Sequence, residues 1–141
     1  MRWLITILIA GMMLGTAHAK PKQHNLKPIT LGTNTTGTST IALSGYVEAV
    51  HVSVSDGAST GTATVAYAPH TGSTAISIAT GSTVDEKVWR PATDRTAVAG
   101  TALTNDPPGR FALAGETVTF TIASSPTGLV WYCVIVTEES K

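Results

Sequence analysis

The histidines of this chain are the residues best suited to bind a metal ion, and their spacing argues against that use. No pair shows a ligand spacing such as His-x-x-x-His, and the single cysteine, Cys133, is near none of them in sequence. The adjacent acids Asp85 and Glu86 would face opposite sides of a strand, so they would not converge on calcium. We therefore predict no metal and no cofactor. The histidines are His18, His24, His51 and His70.

Catalysis is not indicated by the remaining polar residues. Serines are plentiful, but a serine in a strand rich in serine and threonine is ordinarily a surface residue. The glycine-rich stretch Gly32–Gly37 lacks the lysine and the following helix that a phosphate-binding loop requires. The nine acidic residues have no flanking aromatic cluster of the kind expected for a glycosidase. We predict that the protein is not an enzyme.

Aromatic side chains are the best candidates for contact with a partner, because large amphipathic rings are favoured at protein interfaces. Trp131 and Tyr132 are neighbours on a predicted strand, so they point to opposite faces and one of them is expected at an interface. Trp89 is the large residue of another predicted strand, and Arg90 follows it. We take these four residues as the candidate interface.

The first nineteen residues have the pattern of a secretory signal. A basic start at Met1–Arg2 precedes the apolar run Trp3–Gly15. The small residues Ala17 and Ala19 then flank His18, which is the pattern that a signal peptidase accepts. An uncleaved membrane anchor is the alternative, but the run is short for a membrane span. We predict cleavage after Ala19 and export to the periplasm or the extracellular space.

The segment that follows, residues 20–28, is predicted to be an extended arm or linker. It contains three lysines and two prolines without apolar periodicity, which is typical of a solvated tail. The chain as a whole has a formal net charge of zero, so nothing steers it toward nucleic acid or an anionic membrane. Cys133 has no partner for a disulfide, and its apolar neighbours indicate a packed core thiol.

Residues 29–141 show the two-residue period of β-strands, with frequent breaks at turn residues. Tight turns are predicted at Asp56–Gly57, Thr80–Ser82 and Ala114–Glu116. Residues 94–110 have no periodicity and are predicted to be a long loop. The last strand, Leu129–Thr137, is apolar on both faces and should be central in its sheet.

Seven or eight short strands at this spacing predict an all-β domain, an antiparallel β-sandwich. Jelly-roll and immunoglobulin-like topologies both remain open. The Cys-Trp-Cys spacing of true immunoglobulin domains is absent.

The second half of the chain contains three phrases: Val88-Trp89-Arg90-Pro91, Asp94 followed by Gly100-Thr101-Ala102, and Phe111-Ala112-Leu113-Ala114-Gly115-Glu116-Thr117-Val118. Together these phrases resemble a group of small tailed-bacteriophage virion proteins. An earlier phrase, Gly45-Tyr46-Val47-Glu48-Ala49-Val50, is also similar, and together they span roughly residues 41–137. The resemblance implies a β-sandwich attached to the capsid or the head-to-tail region in repeated copies, without catalytic residues. Its partners would be other copies, in a homo-oligomer such as a trimer, and virion shell proteins.

An exported bacterial surface module is the alternative function. The predicted signal favours an adhesin or a carbohydrate-binding β-sandwich, whose partner would be a surface glycan. The absence of a planar aromatic platform or a calcium loop in the sequence counts against sugar binding. Assembly into trimers or larger particles would favour the virion function, and a monomer retained by polysaccharide would favour the alternative.

Overall fold

The computed structural model describes residues 20–57, 59–69, 71–83, 87–90 and 110–139, and it confirms the all-β fold. The predicted signal, most of the predicted loop, His70, Asp85 and Glu86 lie outside the described residues. All strand pairs are antiparallel. The eight strands are β1 Pro21–Asn25, β2 Ile29–Thr30, β3 Gly37–Val54, β4 Gly61–Tyr67, β5 Ile76–Thr83, β6 Lys87–Trp89, β7 Ala112–Ala123 and β8 Val130–Glu138.

The long strand β3 belongs to both halves of one curled sheet. Its N-terminal half, Gly37–Tyr46, pairs with β7, and the order continues through β4 to β5. Its C-terminal half, Tyr46–Val54, pairs with β8 and with β6. Strand β8 also pairs with β1 and β2. We call the first set of strands sheet I and the second set sheet II. The curl brings the two sheets face to face in a β-sandwich-like arrangement that closes only as a half-barrel.

The bend in β3 occurs at Gly45, where β3 exchanges one partner for the other. Gly45 has a φ of +105°, a conformation that side chains with a Cβ rarely adopt. A Cβ built there would lie 2.5 Å from the carbonyl oxygen of Glu138, so β8 can approach only a glycine. β-bulges between Leu43 and Ser44 and between Val47 and Ala49 flank this point. Bulges bend strands, and here they turn one strand through the corner between two layers.

The core lies between the two sheets and follows the predicted alternation. Every second residue is buried along β8 and along β7 from Val118 to Ile122, and the largest fully buried side chains are Trp131 and Phe120. The two sheets contact each other at Gly61 of β4 and Trp131 of β8. A Cβ added to Gly61 would lie 3.2 Å from the Trp131 ring. Burial of such aromatic and branched side chains is worth about 1.5–3 kcal/mol each, which makes this interface the main source of stability.

Several predicted boundaries differ from the structure. The predicted arm contains strand β1, which pairs with β8 along its whole length, so the sheet begins at Pro21 and not after residue 28. The predicted turn at Thr80–Ser82 lies inside β5, where Gly81 pairs with Ala63. The predicted turn at Ala114–Glu116 is a bulge inside β7, with Gly115 as the extra residue at a φ of +101°. The turn after Val54 is confirmed by the hydrogen bond from the Gly57 N–H to the Val54 carbonyl, 3.1 Å.

We predict that Gly45→Ala destabilises the protein by about 2–4 kcal/mol, because backbone strain adds to the contact with Glu138. Gly72→Ala is the matched control, since Gly72 also has a positive φ but a Cβ there meets nothing within 4 Å. It should cost only about 1 kcal/mol. The free energies of unfolding are measured by urea titration at 25 °C. Equal losses in the two variants would show that the Glu138 approach does not constrain the bend.

Candidate functional site

The outer face of sheet II is the candidate functional site, because strand pairing brings apolar side chains together there. Val88 of β6 is opposite His51 of β3, which in turn is opposite Val134 of β8. In the rows beside it, Tyr132 is opposite Ser53, and Val136 is opposite Ala49. We call Val88, His51, Tyr132, Val134 and Val136 the valine face.

The valine face contains His51 and four side chains without charge, and its exposure differs from residue to residue. Val88 is 48% exposed and Tyr132 is 42% exposed, while Val134 and Val136 are half-buried. Val88 and Tyr132 leave apolar surface on this face that water solvates poorly, which makes it a candidate for contact with another molecule. The outward threonines and serines of sheet I show that this fold does not require valine on an outer face.

Ionic contacts border the valine face at the corner of β3. Arg110 Nη1 lies 2.7 Å from Glu48 Oε1 and 2.5 Å from Glu138 Oε2. The hydrogen bond to Glu138 and the charge of Glu48 raise the pKa of Arg110. This guanidinium therefore joins the start of β7, the bulge in β3 and the end of β8, and it places charge at the rim of the face.

The four aromatic and basic residues predicted as an interface fall in different places. Tyr132 is on the valine face, and Arg90 is exposed at the end of β6. Trp89 is half-buried and its ring lies 3.6 Å from a Cβ built on Gly81, so it packs β6 against β5. Trp131 is 0% exposed, which removes it from the candidate interface and makes it a core residue. Its neighbour takes the outward position because adjacent strand residues face opposite sides.

The Trp131 indole has a defined polar partner inside the core. Its Nε1–H donates to Ser125 Oγ at 2.9 Å, and Ser125 is itself buried. The Ser125 hydroxyl donates to the Pro126 carbonyl at 3.1 Å, so the hydroxyl both accepts and donates. A buried indole N–H without an acceptor costs free energy, which explains a serine at a position where the core is otherwise apolar.

Other titratable groups predicted from the sequence are structural. Burial raises the pKa of the Cys133 thiol to about 12, and this cysteine is 2% exposed, as expected for a core thiol. His24 contacts Thr137 Oγ1 at 2.9 Å, and burial together with Lys22 lowers the pKa of its imidazole. Its ring thereby joins β1 to β8.

One serine motif was overlooked in the sequence. Gly57-Ala58-Ser59-Thr60-Gly61 matches the Gly-x-Ser-x-Gly pattern of hydrolase nucleophile elbows. Such an elbow needs a strand followed by a helix, whereas this segment joins strand β3 to strand β4. The Ser59 hydroxyl donates to the Asp56 carboxylate, and the Ser59 N–H donates to Asp56 Oδ1 at 3.1 Å. The motif therefore serves as a hydrogen-bonded turn.

The outer face of sheet I has a second regular surface, made of threonines. One row crosses all four strands in the order Thr38, Thr121, Thr64 and Thr80. Thr64 Oγ1 and Thr80 Oγ1 are 3.1 Å apart, which places these hydroxyls on the same face. We call this row and its outward neighbours Thr40, Thr62, Thr117 and Thr119 the threonine face.

Comparison with known proteins adds no relative. No family model, no curated protein and no solved structure matches this chain. Within the described ranges, no group of three or more histidine, cysteine or acidic side chains is placed to hold a metal ion. None of the described residues belongs to a helix that could cross a membrane.

We predict that Ser125→Ala destabilises the fold by about 1–3 kcal/mol, because it leaves the buried Trp131 N–H without an acceptor. In a Trp131→Phe background the same change should cost less than about 1 kcal/mol, since the donor is gone. Urea unfolding of the four proteins gives the coupling energy. The exposed Thr127→Ala is the control. Additive losses in the double variant would exclude the Trp131–Ser125 hydrogen bond as a source of stability.

Proposed function

We propose that this chain is a non-enzymatic structural protein of a bacteriophage virion, a capsid-decoration or head-to-tail surface component that acts by protein–protein assembly. The observation that carries the proposal is the valine face, an uncharged surface with Tyr132 and Val88 exposed. Exposed tyrosine beside apolar residues is the composition of interface cores. The sequence resemblance supports the virion setting, and the all-β fold agrees with what that resemblance implies.

The partners on this proposal are other copies of the chain and proteins of the virion shell. The predicted signal sequence adds export, so the protein would act at the virion surface or on the outside of the cell membrane. The formal net charge is zero for the whole sequence and −1 without Arg2 of the predicted signal, so little long-range repulsion opposes the approach of repeated copies.

The test is the molar mass of the chain expressed from Lys20, measured by light scattering after size exclusion. We expect a trimer or a larger species. Val88→Lys with Tyr132→Lys should reduce the molar mass, because two charges would have to be buried at the interface. Thr117→Lys, on the exposed outer face of sheet I, is the matched control and should leave the mass unchanged. A monomeric wild-type chain would contradict the proposal.

The threonine face favours a second candidate function, an exported module that binds a surface polysaccharide. Each threonine hydroxyl can donate and accept a hydrogen bond, so the rows present a regular array to the hydroxyls of a glycan. The row Thr38, Thr121, Thr64 and Thr80 is the specific observation for this candidate.

On this second candidate, the chain co-sediments with insoluble cellulose or chitin. Thr64→Val with Thr121→Val should abolish co-sedimentation, because both hydroxyls are lost with little change in shape. Tyr132→Ser, on the opposite layer, is the control and should bind as the wild type does. Failure of the wild type to co-sediment with either polymer would contradict this candidate for these glycans.

A further inference from the structure

Two free edges of sheet I differ from the other free edges of the protein. Among the described residues, no strand pairs with the outer edge of β5 or with the second edge of β3 between Gly37 and Gly45. Free edges of this kind are templates for pairing with another chain, and proteins usually protect them with lysine or proline.

The protective residues are present on sheet II and missing from sheet I. Strand β1 contains Pro21 and Lys22, and Lys27–Pro28 follows before β2. Strand β6 is followed by the exposed Arg90. In contrast, the β3 edge reads Gly-Thr-Ser-Thr-Ile-Ala-Leu-Ser-Gly and β5 reads Ile-Ser-Ile-Ala-Thr-Gly-Ser-Thr, without a charge or a proline. Both sequences favour extended strands.

We propose that copies of this chain join head to tail, with β5 of one copy paired to the N-terminal half of β3 of the next. This inference deepens the proposed assembly function and rests on it, since it names the second copy as the partner and the two edges as the contact. It uses surfaces other than the valine face.

The strand directions of sheet I permit this pairing. The order β3, β7, β4, β5 alternates in direction, so β5 runs opposite to β3. A second copy placed in the same orientation therefore presents its β3 antiparallel to β5 of the first, and a continuous antiparallel sheet forms. With an odd number of strands, the same operation would give a parallel junction.

The lengths and the outward side chains also match. Strand β5 has 8 residues, and the free β3 edge from Gly37 to Gly45 is about as long. The threonine row ends at Thr80 on β5 and begins at Thr38 on β3, so a junction at these residues continues the row into the next copy. Cross-strand threonine pairs stabilise antiparallel sheets, as Thr64 and Thr80 do within one copy.

The β3 edge is accessible because a groove runs along it. Its two cavities, of about 450 and 610 Å³, lie between this edge and the segment from Lys22 to Thr30. Ala42 and Ser44 line the first cavity, and Thr38 and Thr40 line the second. The basic side chains of Lys22 and Lys27 line the opposite wall. Strand β5 contains no charged residue, so no positive charge of β5 would repel these lysines in the groove.

The contact is heterologous, because two different edges meet. A heterologous contact produces a closed ring or an open filament, depending on the rotation between successive copies. In a heterologous contact, a chain that is blocked at one edge can still pair through its other edge. The two edges can therefore be tested separately.

The test uses two variants that each block one edge with a lysine, Ala42→Lys on β3 and Thr80→Lys on β5. Both positions are exposed, so the fold should persist, and urea unfolding confirms it. Both variants are made in the Val88→Lys/Tyr132→Lys background, so that no valine-face contact remains. Each edge variant alone should then be monomeric by light scattering. An equimolar mixture should form a dimer of one copy of each, because only the β5 edge of the first and the β3 edge of the second remain open.

A cysteine pair gives the second measurement. Thr38→Cys with Thr80→Cys, oxidised with glutathione disulfide, should yield a ladder of covalent multimers on a denaturing gel, and dithiothreitol should collapse it. Each single variant should give only the covalent monomer on the same gel. Cys133 is buried and will not compete.

A wild-type chain that is monomeric overturns both this inference and the assembly function. An assembled wild type whose mass is unaffected by Ala42→Lys and Thr80→Lys overturns the edge pairing alone. A covalent dimer from Thr38→Cys alone also overturns it, in favour of β3 paired with β3.

Discussion

The close approach of the Glu138 carbonyl to Gly45 is the constraint on which the rest of this structure depends. It lets β8 leave β3 at the point where β3 bends, so that one strand can serve two layers. Without that bend, β7 and β8 would lie in one plane on opposite edges of β3, and the core between them could not close. The Arg110 contacts to Glu48 and Glu138 stabilise the same corner from the outside. Surface ion pairs are individually weak, so the backbone geometry rather than the charge is the main determinant.

The sequence predicted strand identity well and strand continuity poorly. Alternating apolar residues located β4 and β7, because a half-buried sheet imposes a period of two, and a continuous apolar run located β8. Glycine was interpreted as a boundary at Gly81 and Gly115, yet both lie within strands. A glycine in a strand can mark a turn, a bulge or a close contact, and only the neighbouring strands distinguish these cases. Gly81 faces the Trp89 ring at a distance that a Cβ would also allow, and Gly115 is the extra residue of a bulge.

The N-terminal segment shows the limit of composition as a guide. Lysine and proline in residues 20–28 indicated a solvated tail, and the same residues are typical of a protected edge strand. The sequence has no periodicity there because β1 has most of its side chains in solvent. Its pairing with β8 comes from the backbone, assisted by the His24–Thr137 contact. Pairing through the main chain leaves no trace in the side-chain pattern, so this strand could not be predicted.

The candidate site was partly predictable for a related reason. The neighbouring rings of Trp131 and Tyr132 had to face opposite sides, but their types did not say which was inside. The pairing of Trp131 with Ser125 resolves this, because a buried indole needs an acceptor and Tyr132 has its hydroxyl in solvent. Val134 and Val136 were overlooked as surface residues because a run that is apolar on both faces resembles a strand buried on both faces.

The two outer faces differ in the free energy of exposing their side chains to water, and that difference favours contact through sheet II. Threonine on sheet I has strand propensity and a hydroxyl that water solvates, so its exposure carries little penalty. Valine on sheet II has the same strand propensity, but each apolar Å² left in water forgoes about 25 cal/mol. A β-sheet needs branched side chains, and threonine would meet that need on both faces. Val88 is exposed on sheet II and Val134 and Val136 are half-buried there, so burial against a partner would recover free energy that these side chains forgo.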